Sequence, residues 1–292
     1  MTSFRTVLIE NPCRLSYKSG YMVVHKEDET VKVHLSEISC VVLHTLQANV
    51  GAYLLSELAK QKISLVITNE KHNPVGQYLP LYGAHNTSKR IMEQMAWSEP
   101  IKKRVWQRVV RDKIRQQADL LSDRGLEEAK MLRDAVHDVR SGDTTNREAH
   151  AARVYFQALF GPGFNRDIDC ATNAALNYGY AVLLSMVNRE IVSRGYLTQQ
   201  GICHRSEYNE FNFACDLMEP FRPVVDRTVD DWVADSFGPD EKRLLADMPN
   251  RLLAYRGGAY KLGSVVSLYV QDCINALCKR IAVDEIERFS VE

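Results

Sequence analysis

The amino-acid sequence predicts an α+β fold, in which an N-terminal β-rich domain is followed by a mainly α-helical domain. Two patterns support this prediction. Up to about residue 70, apolar residues alternate with polar ones or form short continuous runs, as they do in half-buried and buried strands. After Thr87 they recur at helical spacing instead, for example at Ile101, Val105 and Val109, which fall on one face of a helix.

The composition is that of an ordinary globular protein with no overall charge. The chain has 292 residues, enough for two domains, and 45% of them are hydrophobic and 25% charged, which excludes a disordered or fibrous protein. Lys and Arg total 37 and Asp and Glu total 37, so any contact with nucleic acid must come from local patches. No run of about 18 apolar residues is present. We therefore expect a cytoplasmic protein without a membrane segment.

The predicted N-terminal strands are short and apolar. The acidic residues around 26–29 are predicted to form a hairpin turn between the second and third strands, and an amphipathic helix is expected over 49–61. In order, the predicted strands are 5–9, 21–25, 31–35, 38–43 and 63–67.

A domain boundary is predicted where prolines and polar residues replace the apolar pattern, as in His72-Asn73-Pro74 and Leu79-Pro80. Such residues are typical of a connector. The predicted limits are 1–75 for the β-rich domain, 76–88 for the linker and 89–292 for the helical domain.

Two loops are predicted within the helical domain. Residues 141–146 form the first, and Thr145 or Asn146 is expected to cap a helix that begins near Arg147. Residues 197–209 contain a glycine and many polar residues, so they are predicted to join two helices.

The seven cysteines are predicted to be reduced and mostly buried. Their number is odd and no two form a CxxC pair, so neither a disulfide framework nor a structural zinc site is indicated. Cys203, His204 and Cys215 offer an alternative zinc cluster, but a fourth ligand at suitable spacing is missing.

Three residues are candidate catalytic residues and metal ligands: Glu148 in the first turns of a helix, His204 in a loop, and Glu219 in the segment CDLMEPFRP. Two carboxylates and an imidazole suit a divalent ion such as Mg²⁺ or Mn²⁺. Glu148 shares a small, apolar helix face with Ala151 and Tyr155, where an unpaired carboxylate would be costly to bury. A bound metal ion would remove that cost.

Asp216 is a second-tier candidate, because on a helix it projects from the same side as Glu219, three residues later. The alternative reading assigns no chemistry to these residues. In that reading Glu148 pairs with a neighbouring arginine, Asp216 pairs with Arg222, and His204 is a surface histidine.

A basic stretch with Trp106 interleaved is a candidate DNA-binding surface, although a solvated helix face explains it equally well. Tyr178 and Lys261 are further second-tier candidates near the site, although Tyr178 is equally explained as a core tyrosine. Arg222 is a candidate phosphate ligand. The basic stretch consists of Lys102, Lys103, Arg104, Arg108, Arg111, Lys113 and Arg115.

Four segments resemble successive blocks of the CRISPR spacer-acquisition integrase family. Each block alone is weak, but their joint occurrence in the family's order is specific. The β-rich start and proline-containing connector also resemble that family. The segments are NREAHAARVYFQALFG, NAALNYGYAVLLSMVNREIVSRGY, GICHRSEYNEFNFACDLMEPFRPVVD and AYKLGSVVSLYVQ.

The resemblance implies a metal-dependent DNA integrase of the type II branch, with Mg²⁺ or Mn²⁺ bound by Glu148, His204 and Glu219. It implies that the helical domain is catalytic and that a DNA 3′-hydroxyl attacks double-stranded DNA by direct transesterification. It also implies a homodimer held largely by the β-rich domain, and a small ferredoxin-like companion protein. Two alternatives remain open: a metal-dependent DNA repair nuclease that uses water as nucleophile, and a non-enzymatic nucleic-acid-binding module.

Overall fold

The computed structural model describes residues 5–70, 74–81, 84–231 and 236–291. Within these ranges a β-rich N-terminal region precedes a mainly helical region, which confirms the predicted α+β fold. His72 and Asn73, which were assigned to the predicted connector, lie outside the described residues.

Two sheets and one helix form the N-terminal region. One sheet has the order β1-β5-β7-β8, with β1, β5 and β7 parallel and β8 antiparallel; the other has the order β4-β3-β2-β6. The strands are β1 (Arg5–Ile9), β2 (Cys13–Lys18), β3 (Tyr21–His25), β4 (Thr30–His34), β5 (Ile38–Leu43), β6 (Ala48–Val50), β7 (Ser64–Thr68) and β8 (Pro74–Tyr78). The helix is α1 (Ala52–Lys60).

The core of this region lies between the sheets and α1. Leu54 and Leu58, one helical turn apart on α1, are fully buried against Leu15 and Met22 of β2 and β3. The predicted hairpin between β3 and β4 is confirmed, because the strands pair antiparallel from Tyr21 onward.

Strands β2, β6 and β8 were not predicted. β8 begins at Pro74 and contains Gly76, two residues typical of a connector, but it pairs with β7 as an edge strand, where proline is tolerated. It therefore continues past residue 75, the predicted end of the β-rich domain, to Tyr78.

Nine helices in the described ranges build the second region. α6 is buried on most sides because it contacts α7, α8, α9 and α10 as well as β7 and β8. The helices are α2 (Thr87–Met95), α3 (Glu99–Asp123), α4 (Glu128–Asp138), α5 (Arg147–Phe160), α6 (Ala171–Ser193), α7 (Asn212–Met218), α8 (Arg222–Asp230), α9 (Pro239–Asp247) and α10 (Leu262–Leu277). None of the helices in these ranges is both long and apolar enough to cross a membrane.

A three-stranded antiparallel sheet, not predicted from the sequence, interrupts the helices near the end of the chain. Its order is β10-β9-β11, with β9 (Leu252–Tyr255), β10 (Gly258–Lys261) and β11 (Phe289–Val291). Arg256 and Gly257 connect β9 to β10 with φ values of 50° and 73°, as a two-residue hairpin turn requires. β11 reaches β9 only after α10, so local sequence patterns do not reveal this pairing.

The two regions are joined through α6. His44 Nε2 lies 2.7 Å from the hydroxyl of Tyr178, and Gln77 Nε2 donates to the carbonyl of Ser185 at 3.0 Å. The N-terminal sheet is thus hydrogen-bonded to the central helix of the helical region.

Candidate active site

Glu148 lies in the first turn of α5, and Asp143 rather than Thr145 or Asn146 caps that helix. Asp143 accepts hydrogen bonds from the backbone N–H groups of Arg147 and Glu148, at 2.9 and 3.0 Å. Asn146 occupies the N-cap position as predicted, but it has a φ of 50° and its side chain makes no cap bond, so the capping bonds come from Asp143 instead. The buried Asp143 holds the backbone of Glu148 at the start of the helix.

The loop that carries His204 is held by Asp216 of α7. Asp216 is completely buried, and its carboxylate accepts hydrogen bonds from the backbone N–H groups of Ile202, Cys203 and His204 at 2.6 to 3.1 Å. Its Oδ1 also lies 2.7 Å from His204 Nδ1. Because Nδ1 is engaged, Nε2 is the ring nitrogen left for another partner.

Asp216 therefore orients His204 in this structure and has both oxygens committed to the loop. Its hydrogen bond to the ring raises the pKa of His204 above the ordinary value, because the imidazolium form is stabilised. Gly201 permits this close packing: a Cβ there would lie 2.3 Å from the carbonyl oxygen of His204 and 2.7 Å from Asp216 Oδ2.

Glu219 lies directly after α7, and a buried lysine joins it to Glu148. Lys113 Nζ of α3 is 2.6 Å from Glu148 Oε1 and 2.5 Å from Glu219 Oε2. The second oxygen of Glu219 accepts a hydrogen bond from Arg222 Nε at 2.8 Å. Burial alone raises the pKa of Glu219, but Lys113 and Arg222 outweigh burial and hold the pKa at about 2.

The structure thus brings together Glu148, His204 and Glu219, and the charge of His204 interacts with both glutamates. The other two second-tier candidates have partners elsewhere. The hydroxyl of Tyr178 is bound to His44, and Lys261 Nζ donates to Asn250 Oδ1 at 3.3 Å.

The donor types fit a divalent ion, but Lys113 lies between the carboxylates. Two carboxylates and an imidazole that is oriented by a third carboxylate are suitable ligands for Mg²⁺ or Mn²⁺. Across the ranges that the structure describes, however, no three His, Cys, Asp or Glu side chains are arranged to hold a metal ion. Between Glu148 and Glu219, the ammonium group of Lys113 lies where an ion would share their oxygens.

Part of the basic stretch faces the protein interior, contrary to the predicted DNA-binding surface. Arg108 is buried, and its Nε donates to Asp112 Oδ2 at 2.7 Å. Arg115 donates to the other oxygen of Asp112 at 3.0 Å, and Arg111 donates to the carbonyl of Val139 at 3.0 Å. Arg108 is therefore excluded as a surface contact because it neutralises a buried carboxylate.

The start of α3 keeps its basic residues at the surface. Lys103 and Arg104 are exposed, and Lys102 lines a cavity of about 450 Å³ beside His204. Trp106 instead packs edge-on against the His204 ring, with 5.8 Å between ring centroids. Lys103 and Arg104 are therefore at the surface, whereas Lys102 is paired with Glu99 at 3.3 Å on the wall of the cavity.

Sequence reasoning placed Lys113 in the basic stretch and so missed its role in this site, and it did not single out Asp226. Arg222 lies over the ring of Tyr180 at 4.5 Å, and the hydroxyls of Tyr180 and Tyr155 both donate to the buried Asp226. Burial raises the pKa of Asp226 to about 6. One signal for Asp226 was available, since it follows Arg222 by one helical turn on α8.

Comparison with known proteins identifies relatives over most of the chain. The family model described as CRISPR associated protein Cas1 matches residues 6–236. The CRISPR-associated endonuclease Cas1 of Neisseria meningitidis is 42% identical over 228 residues, which cover 78% of this chain and 75% of that protein. A CRISPR-associated endonuclease Cas1 of Pyrobaculum aerophilum is 26% identical over 233 residues, covering 74% of this chain and 77% of the relative.

Solved structures with low sequence identity share the fold. A casposase bound to integration product superposes with a TM-score of 0.78 at 16% identity, covering 96% of this chain and 92% of that one. A CAS1 protein from Thermotoga maritima gives a TM-score of 0.74 at 16% identity, covering 98% and 99%. Together with the family match and the Neisseria relative, these findings confirm the family predicted from the four sequence segments: the chain belongs to the Cas1 family of CRISPR-associated proteins.

Proposed function

We propose that this protein is a divalent-metal-dependent DNA integrase of CRISPR adaptation, which joins the 3′-hydroxyl ends of a spacer precursor to the CRISPR repeat. The observation that carries the proposal is the convergence of Glu148, Glu219 and an oriented His204, with Arg222 beside them. Support comes from the relative named as an endonuclease and from the shared fold of a casposase bound to integration product.

Glu148, Glu219 and Nε2 of His204 would hold Mg²⁺ or Mn²⁺. When bound, such an ion supplies charge stabilisation at the phosphorus of a phosphodiester. Asp216 keeps the His204 ring in one tautomer, since an ionised carboxylate only accepts hydrogen bonds. Arg222, anchored through its Nε, has further N–H groups with which to bind a phosphate oxygen.

The protein itself needs no nucleophile for this reaction. A DNA 3′-hydroxyl attacks phosphorus, one P–O bond forms and another breaks, and the departing DNA oxygen takes up a proton. Cys203, the thiol nearest to His204 in sequence, is unsuited to attack, because desolvation of the sulfur and then the charge of Asp216 raise its pKa to about 12.

The proposed partners are double-stranded DNA, a second copy of this chain and a small ferredoxin-like companion. DNA would contact Lys102, Lys103 and Arg104 at the start of α3, and Arg222 in the site. A Cas6-RT-Cas1–Cas2 complex shares this fold, with a TM-score of 0.73 at 20% identity over 98% of this chain and 36% of that one, and supports a Cas protein as partner. Membership of the type II branch and a cytoplasmic location are also proposals.

A second candidate function is DNA cleavage by water, because the Neisseria relative is named an endonuclease. The same ligands lower the barrier for either attacking oxygen, so the substrate has to distinguish the two reactions.

The test uses a labelled duplex with a free 3′-hydroxyl, a CRISPR-array target and Mn²⁺ or Mg²⁺. An integrase attaches this duplex covalently to the target and leaves a matched 3′-dideoxy duplex unattached. Target cutting at an undiminished rate with the dideoxy duplex would favour the nuclease and contradict the integrase.

A further inference from the structure

Lys113 is a buried cation at the centre of the candidate active site. Only 9% of its side chain is exposed, and its ammonium group contacts one oxygen of Glu148 and one of Glu219. Since Arg222 occupies the remaining oxygen of Glu219, that carboxylate already has a cationic partner on each oxygen.

The charges of Glu148 and Glu219 are therefore balanced without a metal ion. Two carboxylates face two cationic groups, Lys113 and Arg222, and burying the carboxylates without such partners would be strongly unfavourable. A divalent ion that enters between the two glutamates is repelled by the ammonium group of Lys113.

One of the two cations has to give way before an ion can bind Glu219. Mg²⁺ requires ligand oxygens at about 2.0 to 2.1 Å. Lys113 Nζ lies 2.5 Å from Glu219 Oε2, which it pairs by charge without a hydrogen bond. Arg222 is anchored twice, by its bond to Glu219 and by the Tyr180 ring at 4.5 Å. Lys113 has a flexible four-carbon stem, so it is the cation that moves.

A displaced ammonium group requires a new anion, because leaving it unpaired in the interior is costly. The incoming substrate carries such an anion, a DNA phosphate. The arrival of DNA therefore lowers the cost of displacing Lys113, and by linkage a metal ion lowers the cost of DNA binding by the same factor.

We propose that Lys113 is the resident counter-cation of this site, that a divalent ion must displace it, and that a DNA phosphate receives the displaced ammonium group. Metal uptake and DNA binding are then coupled through one side chain. The inference rests on the proposed metal-dependent function, and Lys113 acts as a positioning residue for the glutamates.

The test measures Mn²⁺ binding to the full chain by calorimetry, with and without a 3′-dideoxy duplex that cannot react. The wild-type protein should bind Mn²⁺ weakly alone and about tenfold more tightly with DNA, within the usual range of coupling between sites. Without DNA, Lys113→Met should bind Mn²⁺ at least about tenfold more tightly than wild type. Adding DNA should then raise the Mn²⁺ affinity of the variant much less than it raises that of wild type. Lys130→Met, which removes an exposed lysine from α4, should behave as wild type.

The possible outcomes separate this inference from the proposed function. Absence of Mn²⁺ binding in every protein, with and without DNA, overturns the metal site itself. Equal Mn²⁺ affinity in wild type and Lys113→Met, with the same effect of DNA, overturns only the role of Lys113.

Loss of the lysine also removes a cationic partner from the buried Glu219 and the partly buried Glu148. The variant is therefore expected to have a lower melting temperature, which Mn²⁺ should raise again. If Lys113→Met does not fold, Lys113→Gln retains a hydrogen-bond donor and serves for the same binding measurement. An Mn²⁺ affinity of Lys113→Gln equal to that of wild type would again overturn the inference.

Discussion

At the residue scale, Asp216 and Asp226 are two buried carboxylates with different roles. Asp216 accepts three backbone N–H bonds and bonds to the His204 ring, so it acts as a scaffold for the loop. Asp226 has two tyrosine hydroxyls as hydrogen-bond donors, and burial raises its pKa to about 6. Both support the candidate site, because Asp216 orients His204 and Asp226 binds the hydroxyl of Tyr180, whose ring lies under Arg222.

The first prediction concerns the three candidate ligands. Glu148→Ala, His204→Ala and Glu219→Ala should each lower strand transfer by more than about a hundredfold, beyond the effect usual for an outer partner of a metal ligand. Double variants should be little worse than single ones, because the three residues act as a unit. Strand-transfer rates measured on protein with a wild-type circular dichroism spectrum test this, and robust activity in any single variant would refute the site.

The second prediction concerns Asp216→Asn. An amide offers one oxygen where the carboxylate offers two, so the loop should loosen and Mn²⁺ affinity should fall by roughly 10- to 100-fold. The pKa of His204 should also fall, because its hydrogen bond to Asp216 is the main cause that raises it. NMR titration of the His204 ring measures this change, and Asp240→Asn, at an exposed carboxylate, is the control. An unchanged pKa would contradict the scaffold role.

The third prediction is a pH dependence of stability that arises from Asp226. Its pKa rises from 3.8 to about 6 on folding, so its stabilising contribution is complete below about pH 3.8 and is lost as pH rises through about 6. The free energy of unfolding of wild type minus that of Asp226→Asn should therefore decrease across this window, by up to about 3 kcal/mol. Denaturant unfolding between pH 4 and 6 measures the difference, and a constant value would show that the pKa is not raised.

At the scale of elements, close packing of α6 against α8 positions the residues behind the site. α8 carries Arg222 and Asp226, and Gly179 of α6 faces it. A Cβ at Gly179 would lie 2.4 Å from Val225 Cγ1, which is closer than side chains pack. Only a glycine there lets the two helices approach this far.

The fourth prediction follows from this contact. Gly179→Ala should force α8 away from α6 and lower the free energy of unfolding by about 1 to 3 kcal/mol, as overpacking does. Val225→Ala removes the clashing carbon. It should therefore lower the free energy of unfolding less in the Gly179→Ala background than in the wild-type protein. A double-mutant cycle by thermal unfolding tests the pair, and strict additivity would mean that the contact does not limit helix approach.

At the scale of the whole molecule, one N-terminal sheet attaches to the helical region and the other presents an edge strand. One sheet is attached to α6 through Gln77 of β8, whereas β4 is an edge strand of the other sheet. An edge strand with an exposed apolar residue such as Val31 is suited to pairing with another chain. We therefore assign the proposed dimer contact to β4. Removal of residues before Thr87 should yield a monomer or an aggregate, since it also uncovers α6.

The fifth prediction tests that assignment in the full chain. Val31→Lys should weaken the dimer, because a charged edge residue opposes strand pairing. Val75→Lys on β8, an exposed valine at the edge of the other sheet, is the matched control and should leave the dimer intact. Light scattering across a concentration series measures the effect, and an undiminished dimer in Val31→Lys would place the contact elsewhere.

The sequence by itself determined the order of the two regions, the strands with clear apolar patterns, the family and the three candidate ligands. These depend on local apolar patterns or on short segments, as with the apolar run in β3 or the block around Glu219. It did not reveal β8 or the sheet of β9, β10 and β11, because their residues resemble connectors or pair across α10.

Only the tertiary structure decided how the charges of the site are paired. In the sequence Lys113 is one of seven basic residues on a stretch that a solvated or DNA-binding helix explains equally well. In the fold it is buried between Glu148 and Glu219, while Arg108 of the same helix neutralises Asp112. A buried charge requires an opposite charge nearby, and residues distant in sequence meet only once the chain has folded.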